Sequence, residues 1–129
     1  MIVYYNNNTL PLDEVKISPF DRGLLFSDGV YEALRTYNHK IFSLEEHIKR
    51  LTYSLNQLNI PFNGFSDIKN ISLKLAELNR IEKDFGIYIQ ITRGISLPRK
   101  HQFNSDLIPN VFMFTNWWII PESLTKESV

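Results

Sequence analysis

Cysteine is absent from the 129 residues, which excludes disulfides, thiolate zinc sites, iron–sulfur clusters and a cysteine nucleophile together. That composition suits a reducing compartment, and a cytoplasmic location is the expectation. No apolar run approaches the roughly 20 residues that span a bilayer, and Met1 to Leu10 lacks the basic start and apolar core of an export signal. Neither membrane insertion nor export is expected. Charge of one sign is missing too, because 14 Lys plus Arg balance 14 Asp plus Glu. With no global positive field, the chain is not expected to hold nucleic acid. The three histidines have no close carboxylate spacing, so no metal site is indicated; no Gly-rich phosphate loop occurs and no serine sits in a nucleophile elbow.

What is present suffices for one folded domain. Apolar residues make up 43% and aromatic residues 13% of the chain, and a chain of this size buries roughly two thirds of its unfolded surface. Disorder is excluded.

Met1 to Tyr5 reads as a strand, Asn6-Asn7-Asn8 as its turn and Thr9 to Leu12 as the return, since Asn tolerates the left-handed conformation of tight turns. Val15 to Ile17 is a further short strand on this pattern, and Ser18 to Gly29, punctuated by Pro19, Gly23 and Gly29, an irregular segment. Val30 to Tyr37 and Lys40 to Phe42 form a second hairpin about Asn38-His39. Ser43 followed by Glu46 has the form of a capping box. Leu44, Ile48, Leu51, Leu55 and Leu58 then lie on one helical stripe that Pro61 ends. Ile68, Ile71, Leu75 and Leu78 repeat the pattern in a second helix, from about Ser66 to Asn79. Phe85, Ile87, Ile89 and Ile91 alternate with Gly86, Tyr88, Gln90 and Thr92, the period of a strand with two differently dressed faces. A polar loop, Ile95 to Pro109, leads to a last strand, Asn110 to Asn116. The fold class is α+β, an antiparallel or mixed sheet with two helices packed on one face. Beyond that strand, Trp117-Trp118-Ile119-Ile120 offers an aromatic surface that no later element covers, and such surfaces meet a partner.

Three constellations carry charge suited to chemistry. Asp21-Arg22-Gly23 with Phe26 to Glu32 is a charged loop opening into a strand with Tyr31 at its mouth; spacing alone favours a role in shaping the turn. His47 and Arg50, three apart on the first helix, are neighbours that suit a phosphate, or else Arg50 pairs Glu46 on a solvated edge. Arg99-Lys100-His101 places two donors two residues apart, which point the same way where the backbone is extended. An Arg fork with a directional His donor suits a small organic acid, each bond to a charged group being worth roughly 1.5 to 3 kcal/mol. An ordinary basic loop is the commoner meaning of such a triplet.

Together, Asp21-Arg22-Gly23, Phe26-x-Asp28-Gly29-Val30-Tyr31-Glu32, Glu46-His47-Ile48-x-Arg50-Leu51, Tyr88 to Gly94 and Arg99-Lys100-His101-Gln102-Phe103 resemble the class IV aminotransferases, the fold-type IV pyridoxal-phosphate enzymes. The resemblance runs to Ile120 with motif order and spacing kept. Within the family, Arg-x-His after the Thr-Arg-Gly strand is similar to the D-amino acid (D-alanine) branch. That resemblance implies that Arg99 and His101, with Tyr31, bind the substrate α-carboxylate, the two loop residues reaching in from the other subunit of a homodimer. It implies that Tyr88 lines the substrate pocket and that Arg50, supported by His47, holds the phosphate of pyridoxal 5'-phosphate. The substrates implied are a D-amino acid and a 2-oxo acid.

The family also carries a cofactor-binding lysine in a second domain, and none of the lysines here, Lys16 to Lys126, lies in that motif. The expectation is a small N-terminal domain over residues 1–120, the start of an interdomain linker over 121–129, a C-terminal domain not in this chain, and little activity alone. Aminodeoxychorismate lyase, branched-chain aminotransferase and a non-catalytic remnant binding a partner are the alternatives.

Overall fold

A computed structural model describes residues 1–117. Its centre is one six-stranded sheet in the order β2-β1-β6-β5-β3-β4, built from β1 (Ile2–Tyr5), β2 (Asn8–Pro11), β3 (Gly29–Tyr37), β4 (Lys40–Ile41), β5 (Phe85–Thr92) and β6 (Asn110–Trp117). Every pairing is antiparallel, which decides between the antiparallel and mixed sheets left open by sequence. The two hairpin turns form where expected, with Asn6, Asn7, Asn38 and His39 all at positive φ. The α+β class is correct.

Two long helices, α2 (Leu44–Gln57) and α3 (Ile68–Leu78), cover one face of the sheet. Leu34 of β3, Ile87, Ile89 and Ile91 of β5 and Met113 of β6 meet Leu51 and Leu55 of α2 and Leu75 and Ala76 of α3 in a single buried cluster. Each such aliphatic side chain contributes about 1.5 to 3 kcal/mol on burial. The stripe expected of α3 does not hold to its end, because Leu78 is exposed where the helix runs past the sheet edge. Asn79 joins that end to β1 by exchanging two hydrogen bonds of 2.7 Å with the backbone of Ile2. Among the described residues no helix is long and apolar enough to cross a membrane.

Three local expectations are corrected. Val15 to Ile17 is not a strand; Leu12–Glu14 forms a 3-10 turn and the following segment is unpaired extended chain. The irregular segment from Ser18 to Gly29 contains a helical turn, α1 (Arg22–Phe26), because the Asp21 carboxylate accepts the Gly23 N–H at 2.7 Å as its N-cap. Ser43 does not close a capping box: it sits at φ 49° with no side-chain cap bond, and Glu46 instead accepts from Lys49 at 2.8 Å. The tight exit from β4 forces that backbone into the left-handed region and turns the hydroxyl away from the helix N–H groups. The expected aromatic surface of Trp118 to Ile120 lies outside the described residues; of Trp117 only the backbone is described, paired with Phe85.

Candidate functional site

Alternation along β3 separates two kinds of site. Glu32, Leu34 and Thr36 point to the helix face and are buried, whereas Tyr31, Ala33 and Tyr37 point to the open face and are exposed. Tyr31, 64% exposed, stacks on Tyr88 at 5.6 Å between centroids, and Tyr88 stacks on Phe114 at 5.1 Å. An aromatic row therefore runs across β3, β5 and β6 on the side away from the helices. Burial, followed by the neighbouring Tyr31, pushes the Tyr88 phenol up from its ordinary value, so that ring keeps its O–H donor at neutral pH.

On the helix face, Glu32 collects two side chains of α2. Arg50 donates from Nε to Oε1 at 2.6 Å and from Nη2 to Oε2 at 2.7 Å, and His47 Nδ1 lies 2.8 Å from Oε2. The carboxylate so close to Nδ1 assigns that nitrogen the proton and leaves Nε2 as the free ring position. The 3.5 Å approach of Arg50 Nη2 to the same Nδ1 then joins two donors and is not a bond. Arg50 does not pair Glu46, the alternative raised by helical spacing; the bidentate geometry across to β3 is stronger than a flexible pair on the helix surface. Burial raises the Glu32 carboxyl, but hydrogen bonds and charge from Arg50 and His47 outweigh it and hold the group below its ordinary value. The Arg50 side chain stays 66% exposed, beside Glu46, His47 and Lys49 in a shallow recess. A guanidinium fixed at an open recess fits an anionic phosphate. The Tyr31 phenol lies within electrostatic reach of Arg50.

Arg99 and His101 are brought together on one ring. The Arg99 guanidinium carbon stands 4.5 Å from the Phe26 centroid, and the His101 imidazole is 5.4 Å from it at a 59° tilt. Both side chains are exposed. Among the described residues this pair makes no hydrogen bond or ring contact with Tyr31, Tyr88, His47 or Arg50.

Spacing alone did not single out what holds this loop. Arg22 and Arg93 are each 4% exposed, and both donate to Asp28: Arg22 Nε at 2.9 Å, Arg93 Nε at 2.6 Å and Arg93 Nη2 at 2.9 Å. The remaining donors of Arg22 reach the carbonyls of Lys100 at 2.6 Å and His101 at 2.9 Å, and those of Arg93 reach Leu58 and Asn59. Phe103 lies on the Arg93 guanidinium at 3.5 Å. Burial raises the Asp28 carboxyl, and the two arginines overcome this and hold it below its usual value. Arg22 and Asp28, read from spacing as shaping the turn, do so here; the roles of Glu32 and Arg93 were not read, and the resemblance motifs that contained them were the available signal.

A family model described as amino-transferase class IV matches residues 29–123. A D-alanine aminotransferase of Bacillus licheniformis is 38% identical over 116 residues, covering 89% of this chain and 40% of that protein. Among solved structures, the branched-chain amino acid aminotransferase of Escherichia coli superposes with a TM-score of 0.81 at 18% identity, over 91% of this chain and 40% of that one. A hypothetical aminotransferase from Mycobacterium tuberculosis, solved in its PLP-bound form, gives 0.74 at 15% identity, over 97% and 42%. The chain spans about two fifths of the length of the relatives it matches. A family model that spans the whole of β3 to β6 and a relative 38% identical over 89% of this chain place it in the class IV aminotransferases, a family of pyridoxal-phosphate enzymes.

Proposed function

We propose that this chain forms the substrate-anion and cofactor-phosphate half of a transaminase that moves an amino group between a D-alanine-like D-amino acid and a 2-oxo acid. The observation that carries this reading is the seating of Arg99 and His101 against one ring, both exposed, with the carbonyls of Lys100 and His101 held by the buried Arg22. A fork and a single directional donor match the two oxygens of a carboxylate. The relative's name, D-alanine aminotransferase, supports the choice of amino acid.

In this reading Arg99 and His101 take the α-carboxylate across a homodimer, and Tyr31 of the opposing subunit adds a third donor. Tyr88, stacked on Tyr31, orients that hydroxyl and keeps water off one side of the substrate. Arg50 and His47 hold the cofactor phosphate, with Glu32 fixing both. Pyridoxal 5'-phosphate, when bound, supplies the electron sink for cleavage of the α C–H bond. The lysine that moves the α-proton belongs to polypeptide beyond this chain, so the chain alone is expected to turn over little or nothing.

Mixing this chain with a separately produced C-terminal part of a D-alanine aminotransferase and pyridoxal phosphate tests the reading. Pyruvate formed from D-alanine and 2-oxoglutarate supports it. Turnover of L-leucine or of aminodeoxychorismate in its place transfers the chain to another branch of the family, and no turnover with any substrate favours a non-catalytic role.

A further inference from the structure

Phe26 has a place in the fold that a core aromatic does not need. It closes α1, is only half-buried, and its ring meets three cationic or heteroaromatic groups: Arg22 at 4.3 Å, Arg99 at 4.5 Å and His101 at 5.4 Å. Arg22 grips the loop from the other side, donating to the carbonyls of Lys100 and His101 at 2.6 and 2.9 Å, and Asp28 fixes Arg22. The carbonyls of Lys100 and His101 and the side chains of Arg99 and His101 are therefore held against one short helical turn, by its arginine and its ring. An exposed arginine otherwise samples many rotamers, and a ring face that attracts it lowers the ordering cost of any later anion contact.

We propose that Phe26 is a positioning residue: its ring seats Arg99 and His101 as a two-point carboxylate receptor that is already formed within a single chain. This deepens the reading of Arg99 and His101 as the substrate-carboxylate pair and rests on it. Phe26 touches no substrate in this scheme. It acts through the two side chains it holds, both within 5.4 Å of its ring centroid, where a charged carboxylate gains more from the guanidinium than the neutral amide of the same shape.

The test uses the 129-residue chain in solution and two probes, pyruvate and pyruvamide, followed by the side-chain resonances of Arg99 Nε–H and His101 Cε1–H. In the unaltered chain pyruvate is expected to bind saturably in the roughly millimolar range, more tightly than pyruvamide. Phe26→Leu is expected to remove the ring-current shifts of both side chains and weaken pyruvate by about three- to tenfold, with little change for pyruvamide. Phe26→Trp is expected to restore binding to within about twofold, since its ring offers the stronger cation–π face. In an Arg99→Ala background Phe26→Leu should add nothing. Where Phe26→Leu fails to fold by circular dichroism, Phe26→Met, of similar volume and without a ring, gives the same measurement.

Two results overturn the positioning role alone: Phe26→Leu or Phe26→Met binding pyruvate as the unaltered chain does while Arg99→Ala does not, or the unaltered chain giving no saturable preference for pyruvate. Neither touches Arg99 in the assembled enzyme, which the complementation assay decides. Pyruvate binding unchanged by Arg99→Ala removes the anion-binding pair itself, and Phe26 with it.

Discussion

Arg50 lays its guanidinium along the Glu32 carboxylate, Nε to Oε1 and Nη2 to Oε2, joining the exposed side of α2 to a buried position on β3. One partner is in water and the other is not, so the two residues respond differently to substitution. Removing Arg50 strands a buried carboxylate, whereas removing the Glu32 charge leaves a cation that water can solvate.

Glu32→Gln is accordingly expected to lower stability at neutral pH by about 1 to 3 kcal/mol, the range for hydrogen bonds to a charged group. The direction with pH follows from the depressed carboxyl. Its contribution is fully present above the unfolded value of 4.5 and is lost as pH falls through the lower folded value. Urea melts of the two forms should therefore differ most above the unfolded value of 4.5 and converge as pH falls through the lower folded value. A gap that stayed constant across that range would show that the Glu32 charge contributes nothing to folding.

Asp28 is a second carboxylate with the same sign of dependence, but with two buried partners. Asp28→Ala leaves the Arg22 and Arg93 guanidiniums, each 4% exposed, without their shared counter-charge, and the expected loss is about 3 to 5 kcal/mol. Because Arg22 also holds the carbonyls of Lys100 and His101, limited proteolysis should cut first between residues 96 and 104 in the variant. A variant as stable as the parent, with that loop still protected, would mean that the carbonyls and Phe103 satisfy both arginines unaided.

The sheet and its two covering helices were legible because each is written in a repeated apolar spacing: Ile87, Ile89 and Ile91 at two, Leu51 and Leu55 at four. The hairpins were legible from Asn6-Asn7 and Asn38-His39, which adopt positive φ. The buried ion cluster was not, since Arg93 reaches the loop of Arg22 and Asp28 only after β3 pairs with β5 through Gly29 and Thr92. Arg50 was assigned a neighbour one helical turn away because spacing sees only its own helix, whereas the tertiary partner Glu32 lies 18 residues earlier. Val15 to Ile17 has strand-forming side chains but no neighbouring edge to pair with. In each case the missing information was a long-range contact.

Ser43 separates a local rule from the outcome in a way that can be measured. A hydroxyl closing a capping box is worth typically about 1 kcal/mol, and its loss in Ser43→Ala would show that amount. Here the residue is left-handed and its side chain makes no cap bond, and alanine meets the same backbone strain as serine. Ser43→Ala is expected to change stability by less than about 0.5 kcal/mol, within the range for surface substitutions. A loss above about 1 kcal/mol in thermal or urea melts would restore the cap.

Gly94 is the point where the loop carrying Arg99 and His101 leaves β5, and two separate constraints fall on it. Its φ is +97°, a conformation costing a side chain roughly 1 to 3 kcal/mol, and a Cβ there would collide with the carbonyl oxygen of Ile108, backbone that cannot swing away. Its own carbonyl accepts the Arg22 N–H at 2.9 Å, so any shift is passed directly to α1 and the residues that hold 99–101. Gly94→Ala is therefore expected to cost at least about 2 kcal/mol from the dihedral and the contact together. Gly64→Ala provides the contrast, because the atom its Cβ would approach is the tip of the Phe62 ring, a flexible neighbour, and its expected cost is below about 1 kcal/mol. If urea melts returned equal losses for the two substitutions, the close approach of Ile108 to Gly94 would not constrain the loop, and the path from β5 through that glycine to Arg99 and His101 would have to be set elsewhere.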